Sequence, residues 1–139
     1  SKISLHGHTH SCYPMTCRSA LKNLEIIERE NLVENSREVG EYLHEKLLGL
    51  MEKYDVIRDV RGRGLLQGME IEGSPNADKY VLGQEFYETM LRNGLITELE
   101  SRKNLENVVV VMHPALITSR ENVDEAVEII DKSLAACLK

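Results

Sequence analysis

The sequence predicts an α+β domain, a small, largely antiparallel sheet covered by helices, and three observations carry that prediction. Apolar residues recur at helical spacing in four separate stretches. Between the second and third of these, and again between the third and fourth, the pattern changes to alternation, enough for four short strands. The connections are too short for repeated parallel crossovers, which would each need a helix-sized link.

Taken in order, Pro14 suits the first turn of a helix, and Leu21, Leu24 and Ile27 share one face, so the first helix runs to about Arg29. "NLVE" at 31–34 reads as an Asn N-cap with Glu three residues on. Val39, Leu43, Leu47 and Leu50 then repeat at spacings of four, four and three, which makes a second helix. Val56, Ile57 and Val60 lead into "RGRG", after which Leu65, Gln67, Met69 and Ile71 alternate with Leu66, Gly68, Glu70 and Glu72. That pattern predicts two strands interrupted at the glycines. "GSPNAD" at 73–78 is a loop with a helix start, and Tyr80, Gly83, Tyr87, Met90 and Leu91 predict a third helix stopped by Gly94. "LITEL" and "NVVVVMHP" supply two more strands around the polar loop "ESRKNLE". A capping box "TSRE" at 118–121 opens the last helix, with Val123, Ala126, Val127, Ile130, Leu134, Cys137 and Leu138 on one side.

With 139 residues, 42% of them hydrophobic, the chain can bury a core and should make one domain's worth of structure. A net charge of −6 with scattered basic residues excludes a surface built to track a phosphate backbone, so no nucleic-acid partner is expected. Cys12, Cys17 and Cys137 are an odd count without a signal-peptide pattern, which suits a reducing compartment, the cytoplasm by default. The longest concentrated apolar run, "VVVVM", is strand-sized, so no membrane span is expected. The opening "SKISLHGHTH" has no initiator Met and no cap, and the chain reads as cut from something larger.

Chemistry-bearing residues concentrate in "LHGHTHSCYPMTC", residues 5–17. His6, His8 and His10 fall on one face of an extended segment, and with Cys12 and Cys17 they compose an N/S ligand set for zinc. Against that, the spacing matches no familiar zinc pattern and Pro14 starts a helix between the cysteines. The same stretch has the parts of a phosphate-contacting loop: Gly7 permits close backbone approach, Thr9 and Ser11 offer hydroxyls, and a helix follows. On local residues alone an ordinary helix-capping loop is the simpler explanation. "VRGRGL" at 60–65 reads either as an anion-binding nest or as a bulged turn with Arg61 and Arg63 solvated, and its spacing is wrong for a dinucleotide. Arg102 and Lys103 read as a carboxylate receptor or as a solvated loop. His44 reads as surface, His113 as a structural strand-end residue, and Cys137 as core. No nucleophile has a base and an orienting acid at readable positions.

The order of these segments resembles a known family. "HGHTHSCYPMTCRSALKNLEIIERENLVENSREVGEYLHEKL", then "VIRDVRGRGLLQGMEIE", then "VVMHPALITSRENVDEAVEIIDKSL" look like the C-terminal third of a class III aminotransferase, a pyridoxal-phosphate enzyme of fold type I, the group that includes the omega-amino-acid transaminases. The resemblance covers essentially the whole chain. Of the family's usual HGxTYSGHPxxCA, residues His6, Gly7, Thr9, Ser11, Pro14 and Cys17 match, while His10, Cys12, Tyr13 and Arg18 depart.

The resemblance implies that residues 1–30 are a remnant of the large cofactor-binding domain and 31–139 the C-terminal small domain. It puts Thr9, with its neighbour His8, on the cofactor phosphate of the other subunit of a homodimer. The place of an Arg that binds alpha-carboxylates in some members is Val111 here, with Ala115 in place of a second proline, so that Arg is absent; Arg102 stands for the mobile Arg of other members. The implied reaction moves an amino group between an amine or omega-amino acid and a 2-oxo acid. The family's imine-forming lysine, and the Asp that pairs with the cofactor ring, precede everything matched here. The chain alone, without its large domain, is therefore expected to be inactive.

Overall fold

A computed structural model describes residues 13–73, 78–101 and 108–138. The chain divides into two compact units, 1–33 and 34–139.

In the first unit, helix α1 (Pro14–Arg29) starts where the sequence predicts, with Pro in the first turn and Tyr13 before it in extended conformation. It buries none of its residues. Asn31 differs from expectation. Instead of an extended N-cap it adopts φ 51°, the left-handed conformation that Asn tolerates better than most residues, and its N–H donates to the Glu28 carbonyl. Asn31 stands in sequence between α1 and α2 (Leu32–Lys53).

The second unit is an antiparallel four-stranded sheet packed with helices. Strands β1 (Ile57–Arg63), β2 (Leu66–Ile71), β3 (Glu98–Ser101) and β4 (Val108–Met112) lie in the order β1-β2-β4-β3, every pairing antiparallel. The registers Val60↔Met69↔Val110↔Leu99 and Ile71↔Val108 put one set of apolar side chains on one face. That set shares a core with Val39, Leu43, Leu47 and Leu50 of α2, Leu82, Phe86 and Met90 of α3 (Lys79–Arg92), and Val123, Ile130 and Leu134 of α4 (Arg120–Cys137). The α+β architecture predicted from the sequence is the one observed.

Three details depart from the sequence pattern. The buried face of α3 is Leu82, Gly83, Phe86 and Met90, whereas Tyr80 and Tyr87 only pack against its edge and Leu91 is exposed. The reason lies at Gly83: a Cβ there would stand 2.5 Å from Val108 Cγ1, so the bare residue lets α3 press onto β4 and turns Phe86 inward. β3 begins at Glu98 rather than Leu95, because the Leu95 N–H is used 2.9 Å from the Met90 carbonyl in closing α3. The capping box of α4 is Ser119 with Asn122, one residue later than the Thr118/Glu121 reading; each side chain bonds the other's backbone N–H.

Helices α2 and α4 are also joined at the surface. Lys53 Nζ lies 2.6 Å from Asp131 Oδ1, to which Tyr54 also donates at 2.7 Å, while Lys46 and Tyr42 meet Asp124 at 3.1 and 2.8 Å. Hydrogen bonds from Lys53 and then Tyr54 hold the Asp131 carboxyl below the usual carboxylate range.

Candidate functional site

The glycine-rich hairpin shows how local sequence becomes a built site. Arg61 Nη1 donates to Asp59 Oδ2 at 2.6 Å and to the buried Glu70 Oε2 at 2.7 Å on the paired strand. Asp59 first and Glu70 second raise the Arg61 pKa, so this guanidinium is committed to the sheet rather than offered to a ligand. Gly62 pairs with Gln67 and Arg63 with Leu66 in the strand ladder. "VRGRGL" is therefore a turn between strands and not an open nest; Gly64, at φ 56°, supplies its left-handed residue.

Gln67 is the buried polar residue that organises this turn. It is 2% exposed, and its Nε2 donates to the Gly64 carbonyl at 2.7 Å. Its Oε1 must then accept, so His44 Nδ1, 2.9 Å away, carries the hydrogen. His44, expected at the surface, is half-buried and holds α2 to the hairpin. The alternation of the sequence places Gln67 on the buried face; that its partner would be His44 has no local signal, because the two are 23 residues apart. A polar groove of about 470 Å³ opens alongside, lined by Arg37, Glu41, His44, Glu45, Arg63 and Gln67 among others.

A second pocket, about 280 Å³, involves the neighbouring strand β4, whose Met112 pairs with Gln67. Leu43, Ile96, Thr97, Met112, His113, Pro114, Asn122 and Val123 are among the residues that line it. The Thr97 hydroxyl oxygen is buried without a hydrogen-bond partner among the described residues. His113 is exposed and its Nε2 lies 3.2 Å from Glu98 Oε2, an ion pair when the ring is protonated. Cys137 is half-buried at the edge of the core, and burial pushes its thiol pKa up, which suits a packing role.

Of the residues the sequence singled out for chemistry, His6, His8, Thr9, His10, Cys12, Arg102 and Lys103 lie outside the described residues. Cys17 is exposed on α1, and among the described residues no three metal-ligating side chains converge, so the zinc reading gains no support. Neither pocket is lined by a lysine.

Comparison with known proteins decides what kind of scaffold this is. The family model for the class III aminotransferases matches residues 1–134. The chain belongs to that family. Class III aminotransferases use pyridoxal phosphate, the cofactor that the sequence resemblance implied. The chain is 41% identical over 120 residues to taurine–pyruvate aminotransferase of Bilophila wadsworthia, covering 83% of this chain and 26% of that one. It is 33% identical over 140 residues to an (R)-1-hydroxy-2-aminoethylphosphonate ammonia-lyase of Vibrio splendidus, covering all of this chain and 28% of the relative.

Solved transaminases share the fold as well. One from the marine bacterium Virgibacillus superposes with a TM-score of 0.85 at 28% identity, over 99% of this chain and 32% of that chain. An (S)-enantioselective omega-transaminase from Thermomicrobium roseum gives 0.81 at 30% identity, over 100% and 31%. The class III chain described here spans about a quarter to a third of the length of these relatives. Among its described residues no helix is long and apolar enough to cross a membrane.

Proposed function

We propose that this chain is the C-terminal part of an aminotransferase that moves an amino group between an amine or omega-amino acid and a 2-oxo acid. The observation that carries the reading is the family match through residues 1–134, which takes in the stretch around Thr9 as well as the small domain. Identity to a taurine–pyruvate aminotransferase, whose name joins an omega-amino sulfonate to a 2-oxo acid, supports this substrate class. In this reading residues 1–30 belong with a large cofactor-binding domain and 31–139 are the small domain. The protein acts as a homodimer in the cytoplasm, and the chain alone is inactive because lysine and ring-pairing Asp come from that large domain.

Each local residue then has one task. The Thr9 hydroxyl, with His8 beside it in sequence, donates a hydrogen bond to the cofactor phosphate across the dimer, and Arg102 receives the carboxylate of the 2-oxo acid. The cofactor supplies the electron sink for amino transfer; the protein binds it and orients the substrate.

The test uses the full-length parent. Thr9→Ala is expected to weaken cofactor retention by roughly 1.5 to 3 kcal/mol, the worth of one hydrogen bond to a charged group. Titration of cofactor absorbance checks this, and an unchanged affinity removes Thr9 from the phosphate site. Ammonia released from the amino donor with no 2-oxo acid consumed would replace transfer by elimination, the activity named for the Vibrio relative.

A further inference from the structure

We propose that Asn93–Gly94 is a site of spontaneous covalent modification, cyclisation to a succinimide followed by hydrolysis, and that the seam between α3 and α4 gates it. This is the chain's one Asn-Gly step, and it lies in an exposed turn. The chemistry needs a backbone nitrogen that reaches the preceding side-chain carbonyl, and glycine, lacking a Cβ, obstructs that approach least. A Cβ built at Gly94 would meet nothing within 4 Å, so the turn is open to water, the one co-reactant required.

In the first step the Gly94 nitrogen bonds to Asn93 Cγ while the Cγ–Nδ2 bond breaks. The Gly94 amide proton passes to the departing nitrogen, which leaves as ammonia. Water then opens the ring at one of its two carbonyls, leaving aspartate or isoaspartate. No electrons are exchanged with any other species.

The fold ties down both reacting groups. Asn93 Nδ2 donates to Ser133 Oγ at 3.1 Å, and Ser133 is fully buried on α4. The Gly94 N–H donates to the Leu91 carbonyl at 3.1 Å and the Leu95 N–H to that of Met90 at 2.9 Å. With Gly94 at φ 93°, this pair of bonds is the Schellman closure of α3. The amide must leave Ser133 and the turn must unwind before the nitrogen can attack, so modification proceeds through an opened turn. Its product is not neutral to the fold. Either acid replaces the amide donor facing Ser133 with a carboxylate, and isoaspartate lengthens the main chain by one carbon at the residue that ends the helix.

The test is incubation of the purified chain in mildly alkaline buffer, natively and in urea, with peptide mapping by mass spectrometry. Conversion at Asn93 is expected to be fast in urea and slow in the native chain. The ratio of the two rates should follow the protection of the Gly94 amide in hydrogen exchange. Ser133→Ala removes one tether and is expected to speed native conversion roughly fivefold, the factor an ordinary hydrogen bond contributes to an equilibrium. A native rate equal to the urea rate, or Ser133→Ala converting no faster than wild type, overturns the gating. Conversion in urea that spares Asn93 overturns the site itself. Should Ser133→Ala fold poorly, the wild-type comparison with amide protection decides alone: a native-to-urea rate ratio exceeding the open fraction contradicts the proposal.

Discussion

Gly40→Ala should cost about 3 kcal/mol or more, the upper part of the range for overpacking a well-filled site. A Cβ at Gly40 would stand 2.1 Å from the carbonyl carbon of Gly64, 2.3 Å from its oxygen and 2.4 Å from its Cα, and all three are backbone. The turn is held against α2, because Gln67 Nε2 donates to the Gly64 carbonyl at 2.7 Å and the Leu65 N–H donates to Ser36 Oγ at 3.4 Å, one turn of α2 from Gly40. Gly49, on the same helix, is exposed with nothing within 4 Å of its virtual Cβ, so Gly49→Ala should stabilise by about 0.5 to 1 kcal/mol through helix propensity alone. Two identical substitutions nine residues apart are thus expected to have opposite signs. Denaturant unfolding of both variants measures this, and a Gly40→Ala variant as stable as Gly49→Ala would remove the helix–hairpin contact from the account.

Phe86→Ala should cost about 3 to 5 kcal/mol, a large share of the roughly 5 to 15 kcal/mol that holds a domain together. Phe86 is the chain's one phenylalanine, it is 0% exposed, and it belongs to the cluster that joins α3 to Val108, Val110, Ile130 and Leu134. Leu91, five residues on, is 46% exposed, so Leu91→Ala should stay within about 0.5 kcal/mol of wild type. The pair measures which face of α3 is inside. Thermal melts of the two variants check it, and comparable losses would return Leu91 to the core.

That face illustrates what a sequence reveals and what it withholds. Spacing alone placed α2 and α4, since long runs of Leu, Val and Ile at threes and fours have only one helical face to occupy. In α3 the apolar residues nearly encircle the helix, and the choice between Tyr87 and Phe86 depends on Gly83 meeting Val108, a contact between elements. Caps show the same limit. Thr118 and Ser119 are both competent N-caps, and the frame was decided by Asn122, which bonds back to Ser119. Asn31 has the right chemistry for an N-cap, yet it is needed at φ 51° between two helices.

The site was legible in a different way. No single motif in "LHGHTHSCYPMTC" distinguishes a metal cluster from a phosphate loop, since both need small polar residues beside a helix start. The order of three long segments resembles one family through the whole chain, and the family match bears that resemblance out. Gln67 and His44 could not be paired from sequence, since neither carries a pattern that names the other. Thr9 and Arg102 keep the roles proposed for them through the family alone.

The central claim is that this chain holds one part of a class III aminotransferase site and that the imine-forming lysine belongs to another part of the protein. The direct measurement is to mix the purified 139-residue chain with pyridoxal phosphate, reduce with borohydride and map the labelled lysines by mass spectrometry. The account predicts slow, substoichiometric labelling spread over surface lysines such as Lys22 and Lys132, which sit in exposed ion pairs. One lysine labelled stoichiometrically, with transamination by the chain alone, would contradict it.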